Sequence, residues 1–466
     1  MKLKQIIASI LLLSLIFSCT ARKNYERDPN IVEPDLYRTD LLPKDSLGIG
    51  SISWKEIFTD PVLQRHIDDA LQNNLDIRIA LQNIIASESY LKQSKAAYYP
   101  TLNVGPNYSF NTQSLNTQFG QIIGARRYIN QVDITGNLNW EIDIWGKLAA
   151  QERAQLATYL RTVAAHQSVK SDIVAGFATG YYQLLTYDEQ ARIIWETIAV
   201  REQNLETTKA LKEAGLLTEV AVQQSQALVL NAESLLINIE VQTELLENAL
   251  SLLKGIPSQR IERTAIASQF FPPNPELGYP VSLLANRPDV KMAEYDLIRT
   301  FELTKAAHAQ FYPTLRITGS TGLQSVDIDE LFSVSSIFGN VVGGLLQPVF
   351  NGRQIRTQYE VSLTEQEKAY LNFRKSVLTA GQEVSDALKT FTAQDRFIAI
   401  KNQELEAYEK SVKFSQELVN YGMANYLEVL NASVNQLSTE LAIANANFTK
   451  LQAGVELYRA LGGGWK

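Results

Sequence analysis

One stretch of the chain is written twice. Asn73-Asn74-Leu75-Asp76-Ile77-Arg78-Ile79-Ala80, closing on Tyr99-Pro100-Thr101-Leu102, returns 213 residues later as Asn286-Arg287-Pro288-Asp289-Val290-Lys291-Met292-Ala293, closing on Tyr312-Pro313-Thr314-Leu315, with no gap between. Further on the offset falls to 206 or 207: Trp145-Gly146-Lys147 answers Asn351-Gly352-Arg353, Gly215 answers Gly422, and Gly255 answers Gly462. A unit of roughly 200 residues has been duplicated, so the architecture must be one that two similar halves build together. The halves are residues 61–256 and 287–466, joined by a linker over 257–286.

Each half holds segments of period two. From 101 to 111, Leu102, Val104, Pro106, Tyr108 and Phe110 alternate with Thr101, Asn103, Gly105, Asn107, Ser109 and Asn111. From 132 to 144, Val132, Ile134, Leu138, Trp140, Ile142 and Ile144 alternate with Asp133, Thr135, Asn137, Asn139, Glu141 and Asp143. Such alternation is a strand, and a polar face opposite an apolar one is the pattern of a strand between water and lipid. The second half is weaker: Leu315, Ile317 and Leu323 oppose Arg316, Thr318, Ser320 and Gln324, whereas 336–347 carries apolar residues in both phases. Strands are expected over 101–113, 130–144, 314–325 and 336–347. About 12 residues at ~3.3 Å rise and ~45° tilt give roughly 28 Å, enough for a hydrocarbon core. Four strands cannot close on themselves, and an open edge in lipid leaves backbone groups unsatisfied, so closure takes several copies of the chain. A soluble four-stranded sheet with one buried face is the other reading of this pattern.

All fourteen prolines lie at 29–106, 257–313 or 348, leaving 107–256 and 349–466 without any. Helices are expected over 61–97, 147–213, 218–253, 287–310, 353–420 and 425–461. The helix over 147–213 alone measures about 100 Å, against a radius of gyration of about 22 Å for a compact globule of this length. The molecule is therefore a rod, mainly α with a transmembrane β segment, whose long helices bury apolar stripes against one another. Gly215 ends one long helix and Thr218-Glu219 opens the next. Gly422 and Asn425, with Glu428 three residues on, repeat that hairpin as a capping box.

Lys2 and Lys4 precede an apolar run over 6–17, too short to span a bilayer and of the length of a secretory leader. The leader, residues 1–18, ends before Cys19, the protein's sole cysteine, which has no disulfide partner in its own chain. Leu15-Ile16-Phe17-Ser18-Cys19 resembles a bacterial lipobox, although Phe17 stands where such boxes carry a small residue. The resemblance implies an acylated Cys19, a lipid-anchored extended segment over 19–60 and, with Thr20 instead of Asp following, the outer membrane. A plain leader with an incidental cysteine is the alternative. The net charge of −7 and the lack of clustered Lys and Arg argue against a nucleic-acid partner.

Together these features resemble the TolC-like outer-membrane efflux proteins, in the lipoprotein branch that serves resistance-nodulation-division pumps. Asn286-Arg287-Pro288-Asp289-Val290 is similar to that family's Arg-Arg-Pro-Asp-Ile signature. Leu138-Asn139-Trp140-Glu141-Ile142-Asp143-Ile144-Trp145-Gly146-Lys147 follows its strand-to-helix junction, and residues 422–430 its second hairpin. The resemblance implies a homotrimer whose twelve strands form one barrel in outer-membrane lipid and whose helices continue it as an α-barrel through the periplasm. It implies a periplasmic adaptor docking at hairpin tips formed by Gly215, Leu216, Leu217 and Thr218 and by Gly422, Met423, Ala424 and Asn425, and an inner-membrane pump beyond. Relatives carry acidic residues at the closed end where this chain has Ala221 and Asn431. Leu427 and Asn431 are the candidates for the constriction, with buried coiled-coil packing as the other reading.

Enzyme chemistry finds no purchase in the sequence. His66, His166 and His308 each stand alone in helical stretches without ligand spacing. Gly462-Gly463-Gly464 ends a helix instead of cradling a phosphate at the start of one. No cofactor and no metal site is expected. Three functions remain: an exit duct for drugs or other small toxic compounds, the same duct serving type I protein secretion or metal export, and a coiled-coil envelope spacer with no pore. A copper or silver route needs thioether ligands, and past the leader only Met292 and Met423 remain. The spacer predicts no membrane strands, against residues 101–144.

Overall fold

In the computed structural model, which describes residues 24–33, 36–38, 48–272, 277–278, 280–421, 423 and 426–466, the two halves run through the same series of elements, with one more helix at the start of the first. The first comprises α1 (Pro61–Asn73), α2 (Leu75–Ala96), β1 (Thr101–Thr112), β2 (Tyr128–Ile142), α3 (Lys147–Glu213) and α4 (Glu219–Leu253). The second comprises α5 (Pro288–Ala309), β3 (Thr314–Ser325), β4 (Ile337–Leu346), α6 (Gln354–Asn420) and α7 (Tyr426–Ala460). α3 and α6 are each 67 residues long, α4 and α7 each 35, α2 and α5 each 22. Equal lengths keep the halves in step along a helical axis of about 100 Å.

The sheet is antiparallel throughout, in the order β1-β2-β3-β4. Below it the helices keep the same lateral order: α3 packs on α2 and α5, and α5 packs on α6. Farther along, α4 packs on α3, and α7 on both α3 and α6. The core lies midway down, where Phe177, Tyr181 and Tyr182 of α3 meet Phe373 and Phe391 of α6 and Tyr458 of α7. Ile261 and Phe271 of the linker close over it. Gly180 allows α4 to approach α3, since a Cβ there would stand 2.7 Å from Leu250 Cδ2.

Three details depart from the sequence reading. The helix expected over 61–97 breaks at Asn74 (ψ 132°), whose Oδ1 accepts from Ile77 N at 3.0 Å and whose Nδ2 donates to Leu253 O at 2.9 Å. An asparagine that caps the next turn and ties it to a distant carbonyl restarts the helix in a new direction. At the junction into α6, Arg353 does not open the helix as its pairing with Lys147 implied. It takes the left-handed conformation (φ 68°) that Gly146 (φ 72°) holds in the first half, so the offset here is 207. At the first hairpin Thr218 occupies the N-cap position without a side-chain cap bond. Cys19, Gly422, Ala424 and Asn425 lie outside the described residues.

Candidate functional site

Strand register sorts the sheet into two faces. Leu102 lies opposite Leu138, Pro106 opposite Ile134 and Tyr108 opposite Val132; Trp140 lies opposite Ile317 and Ile142 opposite Leu315. On the reverse side Asn103 faces Asn137, Asn107 faces Asp133, Asn139 faces Thr318 and Glu141 faces Arg316. β4 is assigned by its neighbour: Leu345, Val341 and Ile337 pair with Leu315, Gly319 and Leu323 on the apolar side, leaving Phe338, Asn340 and Val342 on the polar one. The apolar side is open in the single chain, with Leu102, Val104, Tyr108, Val341 and Leu345 all exposed. On the polar side Asp133 accepts from Thr135 Oγ1 at 2.9 Å, and Glu141 pairs with Lys147 and, at 3.7 Å, Arg316. Among the described residues no helix is long and apolar enough to cross a membrane.

Aromatic groups fix the level where strands become helices. Trp145 stacks on Tyr312 at 4.8 Å between ring centres, and its Nε1 donates to Pro313 O at 2.7 Å. Trp140 Nε1 donates to Tyr98 O at 2.8 Å. Rings with an apolar body and a satisfied polar edge collect where lipid meets water. Asp143 Oδ2 accepts from Ala149 N at 2.9 Å, which places a carboxylate at the start of α3.

The lateral edges are apolar and unpaired among the described residues. β1 and β4 each carry one open edge. Below β1, α2 exposes Leu75, Ile79, Ile85 and Tyr90; below β4, α6 exposes Val361, Leu371, Leu378 and Phe397. The sequence reading did not single out these residues. The surplus of apolar positions beyond one stripe was the available signal.

At the far end α3 turns into α4 through Gly215 (φ 76°), with Leu216 N donating to Leu211 O at 2.9 Å. Lys212 pairs with Glu219 across the turn at 2.7 Å, and each holds the other's ionised form: the lysine's pKa is raised and the glutamate's lowered. Leu216, Val220, Tyr421 and Met423 are exposed at the two tips, Met423 N bonding back to Leu418 O at 2.8 Å. Leu217 turns inward to a seam between the hairpins, where Ala221 is buried with Tyr426 and Val429. Ala221 therefore faces its own chain. Leu427 and Asn431, one turn apart on α7, are both exposed.

His66 and His308 are held as packing groups. His66 Nε2 meets Glu262 O at 2.8 Å and its Nδ1 meets Lys254 Nζ at 3.0 Å; the ammonium donates to Nδ1, so Nε2 carries the proton. His308 lies among the rings of Phe311, Tyr312 and Tyr359.

Comparison with known proteins places this geometry among membrane transport proteins. The sequence matches the outer membrane efflux protein family over residues 66–255 and 279–463. It is 28% identical over 415 residues to the solvent efflux pump outer membrane protein SrpC of Pseudomonas putida, covering 88% of this chain and 87% of that one. It is 26% identical over 418 residues to the probable outer membrane lipoprotein SilC of Salmonella typhimurium, covering 88% of both. The fold superposes on the crystal structure of a membrane protein from Pseudomonas aeruginosa with a TM-score of 0.86 and 25% identity, over 96% of this chain and 98% of that one.

Proposed function

Because the chain belongs to the outer membrane efflux protein family, we propose that three copies of it, β4 of each joined to β1 of the next, wall an exit duct across the membrane. The protein is an outer-membrane efflux channel. The observation that carries the trimer is a two-faced sheet with both edges open, continued by helices whose outer flanks are apolar. Two copies would give eight strands, a barrel whose interior side chains fill. Three give twelve and are the smallest closure that leaves a water path. The apolar flanks of α2 and α6 then meet between neighbouring copies, and the polar faces line the lumen.

The exposed tip residues Gly215, Leu216, Thr218 and Met423, with the half-buried Leu217 and the neighbouring Gly422, Ala424 and Asn425 of the sequence, are the surface for a periplasmic adaptor that connects the duct to an inner-membrane pump of the resistance-nodulation-division type. The cargo is drugs or other small toxic compounds. Cys19 is the lipid anchor, and chain length allows it. Arg27 reaches Glu294 of α5 at 2.7 Å, and Tyr370 of α6 reaches Asp28 at 3.0 Å. Tyr370 lies about 24 Å of helix below Gln354, and the chain from Cys19 to Asp28 spans up to about 30 Å. Planar-bilayer recording on the purified protein tests the duct: discrete, salt-dependent conductance steps are expected, and a non-conducting monomer overturns the reading.

A further inference from the structure

The seam between the hairpins holds a cation that no described carboxylate balances. Arg201 of α3 is 4% exposed. Its Nη1 donates to Leu228 O of α4 at 2.7 Å, while its Nε has no hydrogen-bond partner. Burial alone pushes its pKa down, and no carboxylate opposes that among the described residues. Beside the guanidinium lies a cavity with about 10 Å³ of room for the centre of a water-sized particle, walled by Asn204, Ser225, Tyr426, Leu430 and Ser433. Its polar lining consists of the amide of Asn204 and the hydroxyls of Ser225, Tyr426 and Ser433, with no carboxylate among them. Ser225 Oγ donates to the Tyr426 hydroxyl oxygen at 3.0 Å, and Gln416 Nε2 donates to Asn204 Oδ1 at 3.0 Å. Among the described residues, the proton of Tyr426 and the amide protons of Asn204 have no acceptor.

We propose that a single halide ion, chloride in the periplasm, occupies this cavity and ties α3, α4 and α7 together. A buried charge without a partner is costly, and the open Nε points to an acceptor carrying a negative charge. Water would accept from Nε but leave the guanidinium charge without a counter-charge. A carboxylate or phosphate is too large for a space that admits one small particle. The ion thus joins the first hairpin to the second, between α3, α4 and α7.

The test uses the full mature protein purified from membranes. Crystals grown in bromide are expected to show an anomalous-scattering peak beside Arg201 Nε that is absent from Arg201→Met. Exchange of chloride for gluconate is expected to lower Tm in the native protein and leave Arg201→Met unmoved. Absence of the peak overturns the proposal. A peak with equal Tm responses in the two proteins marks an adventitious ion only and overturns it as well. Should Arg201→Met not assemble, Tyr426→Phe removes one donor and serves in its place, with weaker bromide occupancy expected and unchanged occupancy counting against the site. Conductance of the duct is a separate measurement, so failure here leaves the channel reading standing.

Discussion

Arg287 is 4% exposed, yet its charge is fully used. Nε and Nη2 grip Asp289 at 2.9 and 2.6 Å, and Nη1 reaches Glu383 of α6 at 2.7 Å and the Ala460 carbonyl of α7 at 3.0 Å. The second half of the repeat is keyed together through this one side chain. Arg287→Met leaves two partly exposed carboxylates and the buried Ala460 carbonyl without their donor and is expected to cost about 1–3 kcal/mol, read as a lower denaturation midpoint. Arg287→Lys recovers only part, because an ammonium cannot form the fork. Burial would raise the pKa of Asp289, but the hydrogen bond and charge of Arg287 hold it below its usual value. Burial likewise opposes Asp60, and bonds from Thr264, Gln269, Val62 N and Tyr181 win there. Such carboxyls add stability that is complete above their unfolded value of about 3.9 and is lost as pH falls through the lower folded one. His66 acts nearer neutrality. Burial, aided by the Lys254 ammonium, lowers its pKa, so its contribution is complete above about 6.5 and fades as pH falls from there. Tm is therefore expected to begin falling on acidification below pH ~6.5, with a second decline below pH ~4. The first decline should shrink in His66→Gln; an unchanged pH profile would show that His66 is not its source.

Opposite faces of one strand pair give the element-level test. Val341 pairs with Gly319 on the apolar face of β4, and Thr318 sits between Asn139 and Val342 on the polar face. Val341→Arg places a charge in lipid and is expected to cost about 2–4 kcal/mol near the bilayer centre, seen as loss of protein from the outer-membrane fraction. Thr318→Arg adds a second cation to a face that already carries Arg316 and should leave that fraction unchanged; equal losses would mean the faces are misassigned. β1 and β2 were legible from residues alone because each alternates polar with apolar along its length. β4 was not, because Phe338 and Val342 are apolar on the polar side, and only pairing with β3 decides its phase. The break at Asn74 was hidden for a similar reason: the carbonyl that receives Nδ2 lies 179 residues away. Arg201 gave no signal, since a lone arginine on a long helix reads as a solvated charge until tertiary packing buries it.

At the scale of the whole assembly, a duct about 100 Å long is governed by its narrowest section. Long helices packed side by side are widest where the strands hold them apart and converge where hairpins pack on each other. Here that packing is the seam of Ala221, Tyr426 and Val429, just behind the tips. Leu427 and Asn431 project from α7 beside it, away from the hairpin partner that covers Tyr426 and Val429. Three copies would bring three such pairs to the axis, an apolar ring followed one turn on by an amide ring, with no carboxylate at Ala221 or Asn431 to attract cations. Leu427→Ala is then expected to raise single-channel conductance and the sensitivity of cells to antibiotics too large to enter otherwise, at unchanged expression. Leu216→Glu, at the exposed tip, should leave conductance alone and abolish efflux by spoiling the adaptor surface. A Leu427→Ala protein that conducts and leaks like its parent would move the constriction elsewhere on the helices, and a Leu216→Glu protein with normal efflux would remove the tip from the docking surface.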